Sequence, residues 1–180
     1  MIGAVVAIDT CAIIHLMHIQ RFFLLKVLGY SVITTVYVQL EFEKGYASSR
    51  EYFFKLLNTG EILRFPLEID DLVAMANLHN SNLPNSKRVS DAELSCFVVA
   101  NRIGGKVMTD DTEAIKYIKR YSSIPPEIVI TLFDVLLEAY KNYWLLDHEL
   151  RSIQETLSTK QFDFKYDLVV ECARRRWMTE

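Results

Sequence analysis

Ile103-Gly104-Gly105-Lys106-Val107-Met108-Thr109-Asp110-Asp111 is the stretch that decides the fold. Ahead of it, Asp91 to Ile103 reads as a helix, which the two glycines stop and turn. Lys106 to Thr109 then reads as a short strand, and Asp111 to Tyr121 as another helix before Pro125-Pro126. Helix, turn, strand and helix in this order build a parallel sheet covered on both faces. Working outward, Ala4 to Ile8 is a continuous apolar run of the kind found in a buried parallel strand. Ile13, Ile14, Met17, Phe22, Leu25 and Leu28 follow at helical spacing, a single run up to Gly29. Ser31 to Thr34, Ile62 to Phe65 and Glu127 to Thr131 read as the remaining strands. Val36 to Glu43, Ser48 to Leu57, Glu68 to Leu78 and Leu132 to Tyr143 read as helices, as do Asp147 to Leu157 and Asp163 to Arg175; His79 to Ser90 is a polar loop. The predicted class is a three-layer α/β/α sandwich with a central parallel sheet.

Composition narrows the function. The 180 residues are 51% hydrophobic and 24% charged, with a net charge of -3, which argues against a protein that coats nucleic acid by bulk positive charge. Cys11, Cys96 and Cys172 are widely spaced, odd in number and set among apolar residues, so they read as reduced core thiols. No apolar run is long enough for a membrane span and no basic segment precedes Val5, so a cytoplasmic protein with no membrane partner is expected.

In open parallel sheets, ligands bind beyond the carboxyl ends of the strands. Asp9 follows the first strand and Asp110-Asp111 follow the strand at Lys106, so acids from the two halves of the chain should meet at one edge. Asp91, at a helix start, and Glu41, on the helix after the second strand, can join them. Converging carboxylates repel unless protonated or neutralised, and the usual neutraliser is a hard divalent cation such as Mg2+ or Mn2+. Such a site activates water and clamps a phosphoryl group, which points to phosphodiester hydrolysis. Each acid also has a plainer reading. Ser90-Asp91-Ala92-Glu93 has the form of a capping box, Asp9 and Asp110 can each cap the helix that follows, and Glu41 can be a solvated helix residue.

Taken together, four blocks resemble the PIN-domain nucleases, including the toxin ribonucleases of prokaryotic toxin-antitoxin pairs. Val5-Val6-Ala7-Ile8-Asp9-Thr10 is similar to that family's opening strand, Asp and hydroxyl residue. Val32-Ile33-Thr34-Thr35 leading to Leu40-Glu41-Phe42-Glu43-Lys44-Gly45 resembles its strand and acid-bearing helix, and selects Glu41 over Glu43. Ser90-Asp91-Ala92-Glu93-Leu94 resembles its third block, and Val107-Met108-Thr109-Asp110-Asp111 its fourth, with Asp111 at the metal-site position. The resemblance runs from about Ala4 to Tyr140, making residues 1–143 the PIN-like nuclease domain and 144–180 a helical extension packed on or beside it.

The resemblance implies a magnesium- or manganese-dependent endoribonuclease acting on single-stranded RNA. It further implies an antitoxin protein as partner and self-association as a homodimer. By resemblance and geometry together, Asp9, Asp91 and Asp111 would be the metal ligands, with Glu41 a further ligand or base and Glu93 and Asp110 secondary candidates. Thr10 and Thr109 would orient a carboxylate or water, or simply cap; Lys87 and Arg88 would meet substrate phosphates. Arg174-Arg175-Arg176 is explained by a helix C-terminus as well as by RNA binding. His15 and His18 read as packing residues, and Phe22-Phe23 and Tyr52-Phe53-Phe54 as core or interface residues. The alternative is a non-catalytic PIN-like scaffold or regulatory module. An aspartyl-nucleophile phosphatase is disfavoured because no second acid stands two residues after Asp9.

Overall fold

Short apolar runs, flanked by helices that cover them, assemble into one parallel sheet. The computed structural model describes residues 4–45, 47–79 and 89–178. Among these, the sheet has five strands, β1 (Val5–Ile8), β2 (Ser31–Thr34), β3 (Leu63–Arg64), β4 (Lys106–Met108) and β5 (Val129–Ile130). Their order is β3-β2-β1-β4-β5, and every neighbouring pair is parallel. The central strand β1 buries Val6, Ala7 and Ile8 completely, as expected of a strand covered on both faces. The architecture is an α/β/α sandwich.

The helices are α1 (Thr10–His18), α2 (Phe23–Val27), α3 (Val36–Lys44), α4 (Ala47–Asn58), α5 (Ile69–His79), α6 (Asp91–Arg102), α7 (Thr112–Tyr121), α8 (Leu132–Lys141), α9 (Asp147–Ser158) and α10 (Leu168–Trp177). On one side α6 packs against β1 and β4, with α3 and α5 beside it. Leu94 through Ala100 of α6 are all buried, so the middle of this helix is covered on every side rather than along one stripe. Ser95 shares a 2.6 Å hydrogen bond with Thr35, the N-cap of α3, and Arg102 donates to the buried Asp71 of α5 at 2.9 Å. A second helical group joins α8 to α1, α2 and α10, and α9 to α1 and α10. None of the described helices is long and apolar enough to cross a membrane.

Three boundaries depart from expectation, each for a local reason. The run from Ile13 to Leu28 is two helices: Gln20 takes a left-handed conformation (φ 55°) and closes α1 with bonds from Gln20 N to Met17 O and Arg21 N to Leu16 O, both 3.1 Å. This is a Schellman-type stop, which glycine usually marks. The strand expected from Glu127 begins with a 3-10 turn, Pro126–Ile128, and only Val129–Ile130 pairs. The last helix starts at Leu168 rather than Asp163. Before it, Phe162 packs on His15, with ring centres 4.0 Å apart, and Phe164 and Tyr166 pack on Phe133. Gln154 holds the end of this segment by donating to Tyr166 O and accepting from Leu168 N.

The Gly104-Gly105 turn sets how closely α6 feeds β4. Gly104 has φ 63°, and a Cβ added at Gly105 would stand 2.8 Å from the carbonyl oxygen of Val5. Backbone cannot yield as a flexible side chain can, so Gly105→Ala should destabilise the protein by about 1–3 kcal/mol. Urea unfolding should show a lowered midpoint with an unchanged slope; an unaltered midpoint would contradict the close approach.

Candidate functional site

The carboxyl ends of β1 and β4 and the starts of α1, α6 and α7 enclose a cleft of about 330 Å3. Its polar lining is Asp9, Thr10, Cys11, Glu41, Ser90, Glu93, Asp111 and Glu113, and its apolar lining is Ile14, Val89 and Ala114. Acids distant in sequence thus meet at the edge that the strand order selects.

Asp9 lies deepest. Its N–H donates to Met108 O across the β1–β4 pair (3.2 Å), and its side chain caps α1 by accepting from Ala12 N at 2.9 Å. The Cys11 thiol lies 3.1 and 3.2 Å from the two carboxylate oxygens. With 1% of its surface exposed, Asp9 is desolvated, and burial raises its pKa from 3.8 to about 7. Bonds from Thr109, Ala12 and Cys11 oppose the rise, and the charge of Asp110 adds to it.

Thr109, itself fully buried, connects this acid to the next. Its hydroxyl stabilises the Asp9 carboxylate and accepts from Asp111 N at 3.2 Å. Asp111 caps α7, with Oδ1 accepting from Glu113 N and Ala114 N at 2.8 and 3.0 Å. Glu93 belongs to an α6 capping box, accepting from Ser90 N at 2.8 Å while Ser90 Oγ accepts from Glu93 N at 3.2 Å. Burial raises the Glu93 pKa, the Ser90 bonds lower it, and the nearby Asp111 carboxylate raises it further. Glu41 is oriented by Thr10, whose hydroxyl donates to Oε2 at 2.5 Å.

Of the acids named from sequence, the fold gathers Asp9, Glu41, Glu93 and Asp111 on this cleft. Asp91 is turned away: its side chain is 55% exposed, and Oδ1 lies 2.7 Å from Nε2 of His79. Helix phase explains the exchange. Ser90 is the N-cap, and at about 100° per residue the first and third helical positions, Asp91 and Glu93, project to nearly opposite sides. Asp110 also leaves the cleft, since Oδ1 accepts from Leu132 N at 2.8 Å and Oδ2 lies 2.9 Å from Nδ1 of His15. Asp111, not Asp110, caps the following helix. Lys87 and Arg88 lie outside the described residues.

Sequence reading passed over Cys11 and Glu113 as lining residues. Each stands two residues after an acid that caps a helix at the sheet edge, and that shared offset is the signal that would have found them. His15 was read as a packing residue, and besides stacking on Phe162 it holds Asp110. In Arg174-Arg175-Arg176, Arg174 and Arg175 pair with Glu171, consistent with a role within α10.

Among the described residues, no three His, Cys, Asp or Glu side chains stand close enough together to hold one metal ion. The donor set is nonetheless of the kind a hard cation takes, carboxylate oxygens on one cleft, with Asp9 1% exposed and the Asp111 charge helping to raise the Glu93 pKa. No protein-family model matches the sequence, and no curated protein does.

The raised pKa of Asp9 has a thermodynamic sign. The folded protein retains a proton that the unfolded chain releases above about pH 4, so stability from this group is full below that pH and is lost as pH rises through about 7. Asp9→Asn keeps the neutral form throughout. Relative to the variant, the wild type should lose on the order of 4 kcal/mol between pH 4 and pH 8. Urea unfolding of both proteins across this range checks it, and parallel pH curves would refute it.

Proposed function

We propose that this protein is a PIN-like, divalent-metal-dependent nuclease that hydrolyses single-stranded RNA. The observation that carries the reading is the convergence of Asp9, Glu41, Glu93 and Asp111 on one cleft at the carboxyl edge of a parallel sheet. The four-block resemblance to PIN nucleases supports it. Asp9, Glu93 and Asp111 would hold a magnesium or manganese ion, some directly and some through bound water because no three of them are grouped to ligate it together, with Glu41 as a further ligand or base, and the chemistry supplied by a bound ion is activation of water and neutralisation of phosphate charge. The remaining work falls to this chain's own groups. Thr10 fixes the carboxylate of Glu41, Thr109 couples Asp9 to Asp111, and the backbone N–H groups of α1 and α7 hold Asp9 and Asp111 in place. Glu93 replaces Asp91 in this scheme because it is the acid that faces the cleft.

The capping and hydroxyl bonds that already engage Asp9, Glu41, Glu93 and Asp111 favour one alternative, a PIN-like module that binds a cation or a partner without cleaving. The two readings separate in one experiment. End-labelled, unstructured RNA incubated with Mn2+ or Mg2+ should be cut internally by the wild type. Asp9→Asn, Glu93→Gln and Asp111→Asn should each slow cutting by at least about a hundredfold, whereas Asp91→Asn should have little effect. Cleavage without metal, or surviving Asp9→Asn and Asp111→Asn together, would overturn the nuclease assignment. Mn2+ bound with no cleavage would identify the non-catalytic module.

A further inference from the structure

Helix α8 begins at Leu132, whose N–H is held by Asp110 near the cleft, and its 10 residues carry the chain about 15 Å away at 1.5 Å per residue. At its far end stands a second surface of different chemistry. Tyr143 and Trp177 are 68% and 78% exposed, and Trp144, Leu146 and Met178 are exposed nearby in sequence. Arg176 ties the two helix ends together, its guanidinium 3.8 Å from the ring centre of Tyr143 and 5.5 Å from that of Tyr140.

Tyr143 is held there against its own backbone preference. It has φ 59°, in the left-handed region that a residue with a Cβ resists. It closes α8 through bonds from Tyr143 N to Tyr140 O at 3.1 Å and Trp144 N to Ala139 O at 2.9 Å. Glycine or asparagine is the usual occupant of such a stop. The other non-glycine residues with positive φ among those described are Gln20 and Gln161, so the aromatic one is the exposed Tyr143. Within the fold the ring meets the Arg176 guanidinium while most of the residue remains in solvent, so the strain points to what the ring contacts outside the fold.

We propose that Tyr143, Arg176 and Trp177 form a stacking platform for single-stranded nucleic acid, separate from the acidic cleft. The choice of RNA as occupant rests on the nuclease reading. Its chemical basis is local: largely exposed aromatic rings and a guanidinium stacked on one of them are groups that unpaired bases stack on and phosphate meets. The surrounding charge is balanced rather than strongly basic. Glu171 pairs with Arg174 and Arg175, Glu138 with Lys141, and Asp147 accepts from Tyr140. The platform therefore binds mainly by stacking, with a shallow salt dependence, and prefers unpaired bases over a duplex.

Both tryptophans of the chain, Trp144 and Trp177, lie in this region, so the intact protein carries its own reporter. Fluorescein-labelled oligouridine titrated in EDTA, which prevents metal-dependent cleavage, should quench tryptophan emission and raise the anisotropy of the label over the same concentration range. Tyr143→Gly and Trp177→Ala should each weaken binding roughly tenfold. Tyr143→Gly should at the same time keep or raise the melting temperature, because it relieves the left-handed strain; a merely structural tyrosine would lose stability instead. Duplex RNA of equal length should bind more weakly than the single strand. Absent quenching, variants that bind like the wild type, or equal affinity for duplex would overturn the platform. So would sedimentation showing that Trp177→Ala abolishes self-association while leaving RNA affinity unchanged, which would make this a contact between copies. The nuclease reading fails separately: binding here with no cleavage in Mn2+ leaves the platform standing, and cleavage without quenching removes the platform alone.

Discussion

The pairing of β1 with β4 is the constraint on which the rest depends. Val6, Ala7 and Ile8 stand opposite Lys106, Val107 and Met108, and the next residue, Asp9, continues the ladder through its N–H to Met108 O. A slip of one residue would exchange the two faces of β1, giving Val6, Ala7 and Ile8 the wrong packing partners on both sides of the sheet and moving Asp9 away from Thr109. The register therefore fixes core and cleft together. It also buries a carboxylate at the wall of the cleft, and the hydroxyl of Thr109, the thiol of Cys11 and the N–H of Ala12 offset only part of that burial.

Capping and site formation are the same act in this fold. Asp9, Glu93 and Asp111 each bind backbone N–H groups at a helix start, and helices that follow parallel strands begin at the carboxyl edge of the sheet. An acid that caps such a helix stands beside the cleft because of where the helix begins. The cap reading holds for Asp9 and Glu93, Asp111 rather than Asp110 caps α7, and the same bonds fix these three acids on one cleft. Neighbouring positions distribute the remaining roles: Ser90 anchors Glu93, while Asp91, one helical position on, reaches outward to His79.

Strands and most helices were legible because apolar runs and turn residues carry the signal locally. The strand Ser31 to Thr34 is found as read, and Gly104-Gly105 marks its turn directly. Elements whose boundaries depend on tertiary contacts were not. Gln20 ends α1 where no glycine advertises a stop, and Phe162, Phe164 and Tyr166 hold an extended segment by packing on residues far back in sequence. The site divided along the same line. Asp9 and the Asp110-Asp111 pair follow from strand ends, and the choice of Asp111 and Glu41 from the family resemblance, whereas the preference for Glu93 over Asp91 depends on helix phase, which the composition of the block does not reveal. The pairing of His15 with Asp110 links residues 95 positions apart and becomes visible only once β1 and β4 are known to be neighbours.

The anchoring of the cleft acids has its own electrostatic logic. Glu41 accepts from a hydroxyl, Glu93 from a backbone N–H and Asp111 from two backbone N–H groups. Glu93 and Asp111 also lie within hydrogen-bonding reach of each other, and that contact helps raise the Glu93 pKa, as expected of neighbouring carboxylates. These anchors differ in rigidity. Asp9 and Asp111 are short side chains fixed to helix backbones, whereas Glu41 and Glu93 are longer and reach the cleft through more rotatable bonds. Any cation drawn to the cleft would meet a fixed pair and an adjustable pair. The net charge of -3 is therefore a poor guide to whether this protein meets nucleic acid, because several of its acids are concentrated in one small cleft.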